Sequence, residues 1–149
     1  MKVLFIIVNV LWQLLTGIPQ LEEGKFFVFT QEANFYIVTP EGFYKTIDGK
    51  QWEFLKQEVA FEEYTYKTLE INGMPHIISA GLGEVYQFKN DSIVRVDNSF
   101  DFRAFHGSNL FAYNNEIHSF GGYGLFTYKN TLLRFSSKAS EWFQVHDNK

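Results

Sequence analysis

The chain of 149 residues has no cysteine. That removes a disulfide framework, a thiol nucleophile and a Cys-ligated zinc site. It also lacks a basic surplus: 13 Lys and Arg stand against 17 Asp and Glu, for a net charge of −4. No basic run interrupts this balance, so a nucleic-acid binder, which needs a clustered positive surface, is not expected. From residue 26 onward no segment sustains the 3.6-residue apolar period of a helix. Charged residues at 20% and hydrophobic residues at 46% are the values of a globular chain rather than a disordered one. What the sequence has in plenty is aromatic residues: 17 Phe, 8 Tyr and 3 Trp, or 19% of the chain. Aromatic side chains favour strands over helices, so the composition leans all-β.

The first residues are of another kind. Met1 and Lys2 precede an apolar run over residues 3–15, broken only by Asn9 and Gln13. One early positive charge before a short apolar stretch fits a secretory signal peptide. The run falls short of the roughly 17–25 residues of a spanning helix, so no stable membrane span is expected. The expectation is a leader over 1–24, a domain over 25–149, and a secreted, periplasmic or extracellular location. A buried first strand or short helix, or an uncleaved anchor, are the other readings of the same run.

The remainder reads as short aromatic and β-branched runs separated by turn residues. Asp48-Gly49, Asn72-Gly73, Asn90-Asp91 and Asn114-Asn115 each stand between two such runs. All are residue types that tolerate positive φ in tight hairpin turns. A further turn is expected at 31–34 and another at 137–140. Strands joined by tight turns form antiparallel meanders, because parallel pairing needs a long crossover. The acidic stretch 57–63, with Glu58, Glu62 and Glu63, reads as a connection with solvated carboxylates.

Three segments repeat at intervals near 40 residues: 35–42, 76–83 and 118–124. Each is an apolar strand running into a small or glycine-containing break. A period of about 40–50 residues carrying four short strands is that of a propeller blade. In the third segment Gly121-Gly122 ends a strand, and Phe135 and Trp142 follow, seven residues apart. This pattern resembles the Kelch repeat, with Phe in place of the usual Tyr. The earlier segments keep only Glu41-Gly42 and Ala80-Gly81. In the first segment, Thr46-Ile47-Asp48-Gly49-Lys50-Gln51-Trp52 is similar to the Asp-box of sialidase-like propellers, one residue short. In both motifs the named residues are structural. Asp48 and Gly49 make a turn, Gly121 and Gly122 give backbone freedom where a strand bends, and Trp52, Phe135 and Trp142 pack between blades.

No motif points to catalysis. Gly81-Leu82-Gly83 and Gly121-Gly122-Tyr123-Gly124 lack the lysine and the spacing of phosphate loops. His76, His106, His118 and His146 are scattered, without metal-ligand spacing, and the repeat-equivalent His76 and His118 read as packing residues. No nucleophile elbow is present. Arg95, Arg103 and Arg134 do not form a sialidase-like cluster, and no pair of carboxylates stands out for glycoside hydrolysis. Asn90-Asp91-Ser92 is a formal glycosylation acceptor. Catalytic, cofactor and metal residues are therefore all read as none.

Function on a rigid β scaffold is carried by loops. The aromatic loop residues Tyr123 and Phe126, with His106, are the expected ligand contacts. The sequence thus reads as an all-β chain of antiparallel four-stranded propeller blades, about three in number and so an incomplete ring. It would act as a non-catalytic module for a protein or glycan ligand, with self-association through open blade faces. The alternative is the N-terminal part of a secreted propeller enzyme, a glycoside hydrolase or a galactose-oxidase-like Kelch oxidase, with its catalytic residues outside this chain.

Overall fold

A computed structural model of the chain describes residues 21, 26–39, 41–56, 66–79, 81–98, 106–124 and 126–146. The leader read over 1–24, except Leu21, and the acidic connection at 57–63 lie outside the described residues. All regular structure among the described residues is β, and no helix is present among them. The chain divides into two compact units, Met1–Ala60 and Phe61–Lys149.

The first unit holds one four-stranded antiparallel sheet in the order β1-β2-β3-β4. Its strands are β1 (Phe27–Gln31), β2 (Asn34–Thr39), β3 (Gly42–Thr46) and β4 (Glu53–Lys56). β1 alternates half-buried and exposed positions, whereas β2 buries Tyr36, Ile37, Val38 and Thr39 in succession. An edge strand hides one face, but an inner strand of a blade is covered on both. The β3–β4 connection is longer than the two-residue hairpin suggested by Asp48-Gly49: it runs over residues 47–52, and of that pair only Gly49 has positive φ. Asp48 organises it. Its Oδ1 accepts from the backbone N–H of Lys50 at 2.8 Å and of Gln51 at 3.1 Å, and from the Thr46 hydroxyl at 3.2 Å. Those bonds, that from Gln51 first, hold the Asp48 carboxyl below its ordinary pKa. Thr46 Oγ1 in turn accepts from Gly49 N. The Asp-box-like segment is therefore a self-bonded turn. Trp52, which closes it, is half-buried, with its indole N–H unpaired among the described residues.

The second unit holds two more sheets of the same form. One has the order β5-β6-β7-β8, from β5 (Tyr66–Ile71), β6 (Met74–Ser79), β7 (Val85–Lys89) and β8 (Ser92–Arg95). The other has the order β14-β13-β10-β9, from β9 (Asn109–Tyr113), β10 (Glu116–Phe120), β13 (Leu132–Ser136) and β14 (Glu141–Gln144). Between β10 and β13 a small hairpin is inserted, β11 (Tyr123–Gly124) and β12 (Thr127–Tyr128). Asn72 and Gly73, Asn90 and Asp91, and Asn114 and Asn115 all take positive φ, as their turns require.

Three four-stranded antiparallel blades are thus present among the described residues, fewer than the roughly four to eight of a closed propeller. Their repeat is position-locked, but one residue off the alignment read from sequence. Tyr36, not Phe35, matches His76 and His118. Each is the third residue of its blade's second strand and pairs with a first-strand side chain: Phe29, Leu69 and Phe111. All three rings are buried. Tyr36 stacks on Phe29 at 5.0 Å and His118 on Phe111 at 5.5 Å, each at 16° between planes. His76 Nδ1 donates to Met74 O at 2.9 Å, and His118 Nδ1 lies 3.3 Å from Glu116 O, also two residues back. Both histidines are packing residues of the repeat. Burial pushes the His76 imidazole below its ordinary pKa.

Within the second unit, the two blades share one core. Ile71, Ile78 and Val85 of the first meet Leu110, Ile117, Leu133, Phe135 and Trp142 of the second. Phe135 and Trp142 are cross-strand partners with ring centroids 5.4 Å apart. The Trp142 indole N–H donates to Gly83 O of the neighbouring blade at 2.7 Å. Phe135 and Trp142 therefore lie at the seam between the two blades of this unit.

Candidate functional site

The double glycine after β10 does more than bend a strand. Gly121 and Gly122 have φ of +75° and +97°, values that a residue with a Cβ rarely adopts. They turn the chain out of the blade, and the return is clamped by Gly121 N to Thr131 O at 3.1 Å and Lys129 N to Gly122 O at 2.8 Å. Between these clamps stands the β11–β12 hairpin, in which Tyr123 pairs with Tyr128 and Gly124 with Thr127.

This hairpin gathers the three ligand-contact residues expected from sequence. His106 forms an antiparallel bridge to Tyr123, through His106 N to Tyr123 O at 3.0 Å and Tyr123 N to His106 O at 2.9 Å. The His106 ring lies against Gly81, where a methyl group would come within 2.7 Å of Nδ1. Glycine at 81 therefore makes room for the imidazole. Phe126 sits at the tip, 96% exposed, with φ +63°. A bulky residue in the left-handed region is strained.

Tyr128 is a fourth member that sequence reasoning missed. It is 86% exposed and meets Tyr123 edge-on with centroids 5.1 Å apart. The signal was a pair of tyrosines five residues apart across a glycine. Only a hairpin, not an open loop, brings them together, and strands of two residues are too short to carry a visible period.

A second feature of this unit is a cleft of about 420 Å³ lined by His76, Gln87, Arg95, Asp97, Asn98 and Ser140, among others. Its charges are already spent on one another. Arg95 donates to both Asp97 oxygens, at 2.9 and 3.1 Å, and to Glu84 at 2.9 Å. Asp97 Oδ1 also accepts from Val85 N at 2.8 Å, and Tyr86 O–H donates to Glu84 at 3.0 Å. Buried beside that glutamate, the Tyr86 phenol is pushed well above its ordinary pKa. Gln87 faces the His76 Nε2 at 3.4 Å. The cleft offers amides and hydroxyls, and its guanidinium is occupied. The network ties β7 to the exit of β8 and serves the blade. Sequence reasoning missed it: Arg95 was weighed only against an arginine cluster, and nothing in the sequence pairs Asp97 with the Val85 amide 12 residues away.

Among the described residues no group of three His, Asp or Glu side chains is placed to hold a metal ion. A scan against protein-family models finds no match for this chain, and a search of curated proteins finds none.

Proposed function

We propose that the chain is a non-catalytic binding module built from Kelch-like blades, and that the aromatic hairpin with His106 is its contact surface. The observation that carries this reading is Phe126: a large apolar ring, almost wholly exposed, on strained backbone. The ring contributes little to folding, and its conformation costs of order 1 kcal/mol or more. An exposed aromatic ring on strained backbone suits a contact residue, since strain clusters at ligand-binding sites and aromatic anchors dominate interfaces. The Kelch-like reading is supported by the Phe135–Trp142 pair and the Trp142 bond to Gly83 O.

Phe126→Asn tests the proposal, because Asn accepts the left-handed backbone. The melting temperature is expected to stay level or rise by a few degrees, while capture of ligands on glycan and protein arrays falls at least about tenfold. A melting temperature lowered by more than about 3 °C would place Phe126 in the fold instead. Unchanged capture would equally sink the reading.

A further inference from the structure

We propose that the open side of the blade β9-β10-β13-β14 is a docking surface for the first blade of a second copy of this chain. The seam within the second unit shows how such blades dock. Paired residues of an antiparallel sheet point to the same side, and alternate residues of a strand share it. On the blade β5–β8, Leu69, His76, Ile78 and Val85 therefore lie on one side. Ile78 and Val85 are fully buried there, in the core shared with the next blade. The next blade presents its opposite kind of side, defined by a row across three strands: Ile117 pairs with Phe135, and Phe135 with Trp142. The seam thus joins two unlike sides. One is the side of the histidine at the third position of a second strand. The other is an isoleucine–aromatic–aromatic row.

A side of each kind also stands open. On the blade β9-β10-β13-β14, His118 takes the place of His76. Its side carries Phe111, Tyr113, Phe120 and Phe143, between 38% and 62% exposed. On the first blade, Ile37 pairs with Tyr44 and Tyr44 with Phe54, the same row in the same order. The ring pairs are set alike: Tyr44 and Phe54 have centroids 4.9 Å apart at 45°, Phe135 and Trp142 5.4 Å apart at 56°. Phe54 and Trp142 each follow a glutamate that opens the fourth strand. Yet Trp142 is 4% exposed and Phe54 is 48% exposed, with Phe35 on the same side at 53%. The other side of the first blade is closed, since Val38 and Phe43 are buried.

The occupant follows from this match. The row that seats one blade on another is exposed on the first blade, and the kind of side it seats on is exposed on the last. Contiguous apolar surface of this sort marks an interaction site. A contact between unlike sides is heterologous, so copies join head to tail and either close a ring or run on as a filament. Two copies of three blades supply six, within the roughly four to eight of a closed propeller, so a dimer is the expected state.

Sedimentation equilibrium of the full chain over a series of concentrations tests the association. Wild-type protein is expected to be a dimer. Phe111→Ser with Phe143→Ser on the last blade, and Phe35→Ser with Phe54→Ser on the first, are each expected to raise its dissociation constant at least about tenfold. Circular dichroism confirms that each variant keeps its sheet signal. Crosslinking then identifies the sides without removing a ring pair. The chain has no cysteine, so Thr30→Cys and Tyr113→Cys each introduce a single thiol. Thr30 is exposed on the Phe35 side of β1, and Tyr113 lies on the His118 side of β9. In the seam of the second unit β5 lies against β9, so the first strands of docked blades are expected to meet. A short bismaleimide should link the two variants to each other when mixed, and link neither to itself in comparable yield. Wild-type protein that is monomeric at every concentration overturns the inference. So does dissociation caused by only one of the two double variants, or Tyr113→Cys linking to itself as well as it links to Thr30→Cys, which marks a symmetric contact.

Discussion

Trp142→Ala should lower the stability of the second unit by about 3–5 kcal/mol, the largest effect expected of any single change in the chain. Trp142 is 4% exposed and packs against Phe135 in the core shared by the two blades of that unit. Its loss removes a large ring and leaves a cavity that β strands on both sides cannot close. It also strips Gly83 O of the indole donor that reaches it from the neighbouring blade. For a unit of this size each kcal/mol shifts the melting temperature by roughly 4–8 °C, so the expected fall is at least about 12 °C. Trp142→Phe separates the two contributions. It keeps most of the packing and loses the hydrogen bond, at about 1–2 kcal/mol. A thermal melt followed by circular dichroism reads both. If Trp142→Ala melts within about 3 °C of the wild type, the two blades do not share a core through this residue.

The second large effect is expected at Asp97. Its side chain is 1% exposed, and it accepts from Val85 N, itself on a fully buried residue, and from two Arg95 nitrogens. Asp97→Ala leaves the Val85 N–H buried without an acceptor, which costs about 1–3 kcal/mol on its own. The ion pair adds less, because the Arg95 side chain is 37% exposed and can turn to water. The sum expected is about 2–3 kcal/mol. Asp97→Asn keeps an oxygen for Val85 N and should cost less. The comparison is Arg134→Ala, which breaks a 3.5 Å pair between side chains 45% and 41% exposed. There the expected loss is below about 0.5 kcal/mol. Chemical denaturation of the three variants should rank them Asp97→Ala, then Asp97→Asn, then Arg134→Ala. Equal losses at Asp97 and Arg134 would mean that the buried acceptor has no special part.

Much of this fold was legible because the turns are chemically distinct. Asn72-Gly73, Asn90-Asp91 and Asn114-Asn115 need positive φ and have it, so the hairpins fall where the sequence put them. The repeat interval was legible too, but not its phase. The repeat segments 35–42, 76–83 and 118–124 set Phe35 against His76 and His118, whereas the turns before these strands set the register and select Tyr36. Asp48-Gly49 announced a turn but not its length, since four hydrogen bonds through Asp48 and Thr46 stabilise a longer loop. The inserted hairpin was illegible as structure, for its strands have two residues each. Two of its aromatic residues, Tyr123 and Phe126, were nonetheless singled out by their place in a glycine-rich loop. The Arg95–Asp97–Val85 clamp was invisible, because the amide it satisfies lies 12 residues from the carboxylate.

The central claim is that the hairpin is a contact surface, and site-specific photocrosslinking tests it most directly. A benzophenone amino acid replaces Phe126 in one variant and Ile47, 71% exposed on the first blade, in another. Both are irradiated in the cells that make the protein. The account predicts a discrete adduct from position 126, with protein, glycan or lipid, and none of comparable yield from position 47. No adduct at 126, or equal labelling at the two positions, would contradict it.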